Sequence, residues 1–242
     1  MQLPFNDFQI IFVLFVSLAG AVLQSGIGFG LGPLCVPLLI LIDTHFVPAP
    51  LLLASFVLNI LIFLKNHDEI ILREFGWALS GRVVGTGLGT IILLIIPRPY
   101  LAILFASMVL LAVGISVAGR RLAINLKNLI GAGILSGIMG TTAAIGGAPM
   151  ALLYQHSSGP KLRGTLSSVF LFGILLALIS LFAIGRFGLP ELKLAVLLLP
   201  GILLGFFLSR FLVPYLDRGL LRPVILGVAG ISAVIILIKV AF

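Results

Sequence analysis

A single cysteine, Cys35, stands in the 242 residues, which excludes a disulfide framework and a thiolate metal cage. Charge is almost as scarce: Asp, Glu, Lys and Arg make up only 9% of the chain. The seven acidic residues are Asp7, Asp43, Asp68, Glu69, Glu74, Glu191 and Asp217, and each falls at the end of an apolar segment or between two of them. No carboxylate is therefore placed for a proton relay or a cation cage inside a membrane. His45, His67 and His156 are loop or segment-end residues as well. The chain also lacks a GxSG serine, since Ser25 follows Gln24 and Ser136 follows Leu135, and it has no HExxH helix. An intramembrane enzyme would be missing its nucleophile with a base, and its paired acids with a metal. The opening MQLPFND has no basic residue ahead of the first apolar run and no small-residue cleavage site behind it, so the first segment is expected to be retained.

Apolar residues, by contrast, make up 61% of the chain, and the mean hydropathy is +1.32, far above that of a water-soluble domain. Within lipid, backbone groups must be satisfied by helices or closed barrels, and runs of about 20 apolar residues belong to helices. An all-α polytopic membrane protein follows. The formal net charge is +8, but the 15 Lys and Arg punctuate apolar segments and form no stripe with interleaved aromatics, which argues against nucleic acid as a partner.

Apolar stretches bounded by charge, Gly or Pro give eight units: 8–42, 46–64, 75–96, 100–118, 127–156, 164–184, 194–213 and 223–240. The first and fifth are too long for one crossing and are interrupted by glycine, at GIGFGLGP (Gly26 to Pro33) and GTTAAIGGAP (Gly140 to Pro149). Pro33 and Pro149 lie 116 residues apart, and the same offset carries Val109–Ser116 onto Ile225–Ser232. Two repeat halves within one membrane domain are expected, residues 1–121 and 122–242.

If each interrupted unit is a hairpin returning to its starting face, ten basic residues gather on one side and four on the other. Single crossings would divide them eight to six, so the positive-inside rule favours hairpins. The stretch from Lys127 to Met139 predicts an arm of about 20 Å, short of a hydrocarbon core about 30 Å thick. A hairpin followed by three crossings makes the second half inverted relative to the first.

Helix breaks at membrane depth leave N–H and C=O groups that only protein or a wet cavity can receive. With Pro33 and Pro149 in the first turn of a new helix, the amides of residues 30–32 and 146–148 would face the midplane and present the positive end of a helix dipole. The candidate substrate-binding residues are Gln24, Ser25, Gly30 and Gly32 at the first break, Thr141, Thr142, Gly146 and Gly147 at the second, and Asn59 and Arg82 at similar depth on the neighbouring spans. Close helix packing is the competing explanation of the glycines. For Arg82, well inside a span, a role at the cavity and a side chain snorkelling to the interface are both open.

At the glycine breaks the chain resembles the sulfite exporter TauE/SafE family of membrane permeases. The resemblance is carried by GIGFGLGPLCVPLL (Gly26 to Leu39) and GTTAAIGGAPMALLYQ (Gly140 to Gln155), with LRGTLS (Leu162 to Ser167) in support. Phe29 and Leu31 interrupt the family's commoner run of adjacent glycines. The resemblance implies a permease of the cell membrane, in bacteria the inner membrane, moving small sulfur-containing anions such as sulfite, thiosulfate or organosulfonates. It implies a site at Gly30, Gly32 and Pro33 in one half and at Thr141, Thr142, Gly146, Gly147 and Pro149 in the other. The partners of this reading are a small anionic substrate and the lipid bilayer, with a homo-oligomer compatible with both, and no cofactor or metal is called for. A passive anion channel could use the same groups.

Overall fold

A computed structural model describes residues 5–117, 122–154, 159–216 and 221–241. His156 and Asp217, assigned above to loops or segment ends, lie outside the described residues. Those described form ten α-helices and three short 3-10 turns, with no strand among them. The helices are α1 (Asp7–Ile27), α2 (Leu31–Ile40), α3 (Ala49–Asn66), α4 (Leu72–Ile95), α5 (Leu101–Val117), α6 (Leu126–Ala143), α7 (Gly147–Tyr154), α8 (Gly159–Ala183), α9 (Leu189–Leu216) and α10 (Leu221–Ala241). Five, namely α1, α3, α4, α8 and α9, are long and apolar enough to cross a membrane. The two interrupted units become the pairs α1–α2 and α6–α7, and the other six units become one helix each.

Local chemistry sets the breaks. Helix α1 begins with a capping box in which Asn6 and Gln9 satisfy each other's backbone N–H groups, and it stops at Gly28, whose φ of 86° is left-handed. Gly30, with φ of 132°, then turns the chain into α2. Helix α6 is capped by Asn125 and stops at Ala144, an alanine held at φ 58°, whose N–H donates to Gly140 O at 2.9 Å while the Ile145 N–H donates to Met139 O at 3.1 Å. The second interruption is thus confined to residues 144–146, and Thr141 and Thr142 finish α6 instead of opening the break. Within the helix threonine satisfies its own hydroxyl by bonding back onto a carbonyl one turn earlier: Thr142 Oγ1 donates to Ile138 O at 2.7 Å.

Both pairs fold back on themselves. The Cys35 thiol donates to Val16 O at 3.3 Å, and a Cβ on Gly20 would meet Leu31 Cα at 3.4 Å, so α2 runs antiparallel to α1. Phe46, after α2, stacks on Phe5, before α1, with ring centroids 5.5 Å apart, which returns the chain to where the hairpin started. The arms differ from the expected lengths. Helices α1 and α6 have 21 and 18 residues, and α2 and α7 have 10 and 8. At 1.5 Å per residue these are about 31, 27, 15 and 12 Å, so each hairpin has a long outgoing arm and a short returning one. The α6 arm exceeds the expected length of about 20 Å because Gly140, Thr141 and Thr142 continue the helix to Ala143.

Packing follows the glycines. A Cβ on Gly81 or Gly85 would strike the Ile130 or Ile134 carbonyl, and one on Gly89 would stand 3.1 Å from Ile138 O. From the other side, a Cβ on Gly137 would lie 2.6 Å from Arg82 O. Helices α4 and α6 therefore run side by side and parallel, backbone to backbone, as small residues allow in membranes. Gly201 and Gly205 bring α9 onto Leu14 and Leu18 of α1 in the same manner. The partners interchange across the chain: α4 packs on α6 and α9 on α1, α3 lies against α9 and α8 against α4, while α3 meets α8 and α5 meets α10. Bulky apolar side chains face outward, among them Val83, Val84, Leu88 and Ile91 of α4 and Phe207 and Phe211 of α9.

Candidate functional site

The two breaks abut. A Cβ on Gly32 would collide with the Ala144 carbonyl and stand 3.1 Å from Ile145 Cα, and one on Gly147 would be 3.3 Å from Phe29 Cβ. Only a glycine at Gly32 lets one break close on the other. Between them lies a cavity of about 30 Å³, lined by Gln24, Gly30, Gly32 and Pro33 from the first hairpin and by Gly140, Ala144, Gly146 and Gly147 from the second. Leu52 and Ser55 of α3, Arg82 of α4, and Phe170 and Ile174 of α8 complete the wall.

Pro33 and Pro149 are each the third residue of a helix, a position whose N–H would have no intrahelical acceptor. The first-turn amides of Leu31 and Gly32, and of Gly147 and Ala148, likewise have no carbonyl of their own helix to bond. Two helix N-termini thus converge on one small space.

Among the described residues Arg82 is the only ionisable group lining that space, and it is 2% exposed. Its Nη1 donates to the Ser136 hydroxyl, which in turn donates to Gly146 O at 2.6 Å. This bond orients the peptide between Gly146 and Gly147; in a planar trans peptide the Gly147 N–H then points away from Ser136. The guanidinium lies over the Phe170 ring, 5.3 Å from its centroid. Gly173 of α8 leaves the room it occupies, since a Cβ there would overlap Nε and Cδ. Cβ atoms on Gly140 and Gly146 would stand 3.0 Å from Nη2 and Nη1. Among the described residues no carboxylate pairs with Arg82, and its Nε has no hydrogen-bond partner. Snorkelling is overturned: the head group is locked among helices.

A buried cation without a counter-ion carries a desolvation cost of several kcal/mol, and an anion placed beside it offsets that cost. With one fixed positive charge, two helix dipoles and backbone donors, the cavity can hold a small anion and offers nothing to a cation.

Of the ten candidates from sequence, the structure brings Gln24, Gly30, Gly32, Arg82, Gly146 and Gly147 to the cavity. The other four stand elsewhere. Thr141 and Thr142 belong to the last turn of α6, and the Thr141 hydroxyl is buried without a partner. Asn59 is buried on α3, one turn from the cavity, and donates to Ser55 O at 2.8 Å and Ser55 Oγ at 3.2 Å. Ser25 faces a different pocket. Sequence reasoning missed Ser136, Ser55, Phe170 and Gly173. Only Gly173, isolated in a run of large apolar residues, signals a close approach; nothing in the sequence links Ser136 to a residue 54 positions earlier.

A family model described as Sulfite exporter TauE/SafE matches residues 12–236, nearly the whole chain. No curated protein and no solved structure matches.

Proposed function

Because the chain belongs to the sulfite exporter TauE/SafE family, a family of membrane transporters, we propose that it carries a small sulfur-containing oxyanion across the membrane through the cavity between the two hairpins. The observation that carries this reading is the buried guanidinium of Arg82, without a carboxylate and facing two helix N-termini. Gln24, Gly30, Gly32, Gly146 and Gly147 supply the remaining contacts, and Ser136 holds Arg82 in place. The confined space suits a compact head such as sulfite or thiosulfate, or the sulfonate end of a longer molecule.

The interchange of packing partners supports an inverted repeat, with residues 1–121 and 122–242 as its halves, both within one multi-pass membrane domain. In such an arrangement one hairpin with its supporting helices rocks against the other, and the anion is exposed to each side in turn. Thr141, Thr142 and Asn59 contribute by shaping the helices next to the cavity.

Counterflow in proteoliposomes tests this. Vesicles preloaded with unlabelled thiosulfate should accumulate labelled thiosulfate transiently, with saturation. Large ohmic currents that do not saturate would instead indicate a channel, and the absence of any anion flux would remove the reading.

A further inference from the structure

A second pocket, of about 150 Å³, opens beside the last turn of α1. Lys65 at the end of α3, Arg163 near the start of α8 and Arg210 of α9 line it, and among the described residues no acidic one does. Among the described residues none of the three cations is paired with a carboxylate. Ser25 is 8% exposed, lines the same pocket, and its hydroxyl has no hydrogen-bond partner. Exposed Lys65 and Arg210 and half-buried Arg163 thus flank an unsatisfied buried hydroxyl, and a multiply charged oxyanion could accept hydrogen bonds from all four groups.

We propose that this pocket is a second anion site, distinct from the cavity at Arg82, which binds a tetrahedral or pyramidal oxyanion head through Lys65, Arg163, Arg210 and Ser25. The head comes either from the transported solute or from the phosphate of an anionic lipid. Arg163 ties the pocket to the hairpin, because its Nη1 also donates to Gly26 O at 3.0 Å. Consecutive residues divide the two spaces: Gln24 lines the central cavity and Ser25 lines the pocket. One helical turn is therefore the partition between them. All three cations belong to the face on which the hairpin arrangement gathers ten basic residues, so the pocket would concentrate anions on that side. That it concentrates the transported anion rests on the transport reading; its binding of an oxyanion does not.

The test uses full-length protein in nanodiscs of phosphatidylcholine alone, or with phosphatidylglycerol, and thiosulfate as the probe in titration calorimetry. Arg82→Gln removes the central contribution, and Lys65→Gln with Arg210→Gln neutralises the exposed side of the pocket without touching the Arg163 bond. In phosphatidylcholine, Arg82→Gln should retain one thiosulfate-binding event, which the added double substitution weakens at least about tenfold. If thiosulfate does not bind but native mass spectrometry finds phosphatidylglycerol retained through Lys65 and Arg210, the lipid phosphate is the source of the head. If neither probe binds in a manner that depends on these residues, while size exclusion shows intact protein, the second site is refuted. A wild type that shows the pocket event but no Arg82-dependent one would instead count against the central site and leave this one standing.

Discussion

Replacing Arg82 with Gln takes the charge from the cavity but leaves a donor for the Ser136 hydroxyl, so binding and stability should move apart. A unit-charge pair about 4 Å apart at an effective dielectric of about 20 is worth about 4 kcal/mol, and a charge-assisted hydrogen bond about 1.5–3 kcal/mol net. After resolvation of the released anion, a loss of about 2.7 kcal/mol is expected, or roughly a hundredfold in Kd. The empty protein should lose little, because buried Arg82 has no carboxylate partner among the described residues and its desolvation is offset only in part by the Ser136 hydroxyl and the Phe170 ring. Thermal unfolding in detergent, with and without thiosulfate, reads both effects. At about a hundred times the wild-type Kd, thiosulfate should stabilise the wild type by about 2.7 kcal/mol and the variant by only about 0.4 kcal/mol. The variant without ligand should unfold close to the wild-type temperature. A ligand-dependent shift that survives the substitution would refute the role of Arg82 in binding. A large drop in the variant's own unfolding temperature would show Arg82 to be structural cement.

Gly173→Ala keeps the charge but places a methyl group on Nε and Cδ of Arg82, so it should impair thiosulfate counterflow while the protein remains inserted and monodisperse; wild-type flux would mean that the guanidinium position is unimportant. Gly85→Ala drives a Cβ into the Ile134 carbonyl and should cost about 1–3 kcal/mol, measured as a lower unfolding temperature without any change in ligand-dependent shift per bound anion. Gly30→Ala forces a side chain to φ 132° with its Cβ 3.1 Å from Leu23 Cβ, and should lower stability by about 1–3 kcal/mol and reduce counterflow as well. Unaltered unfolding of that variant would show that the turn at residue 30 can be rebuilt.

The hairpins were readable from sequence because glycine and proline act through the backbone itself, and the backbone consequence travels with the residue. Gly28, Gly30 and Pro33 stand where the break demands them. The second break is narrower than the span Gly140 to Pro149 read from sequence, because its left-handed position is occupied by Ala144, which no composition rule marks, and because Thr141 and Thr142 continue the helix. Six of the ten candidate residues reach the cavity, and the four that miss it sit on regular helix, where a shift of one residue turns a side chain by about 100°. Depth in the membrane could be estimated for Arg82, but not the face on which it lies. That face is decided by Gly173, Phe170 and Ser136, which come from two other helices and reach it only through tertiary packing.

The inward placement of glycine and outward placement of bulk on α4 reverse the usual map of mutational tolerance. In a water-soluble protein, size is conserved within and polarity without. Here Val83, Val84, Leu88 and Ile91 could be exchanged among themselves or for Phe with little effect, as lipid accommodates any apolar shape. On the opposite side of the same helix, a single added carbon at Gly81 or Gly85 has nowhere to go. A saturation scan of this segment would alternate between permissive and intolerant positions with helical period, and the intolerant stripe would trace the seam between α4 and α6.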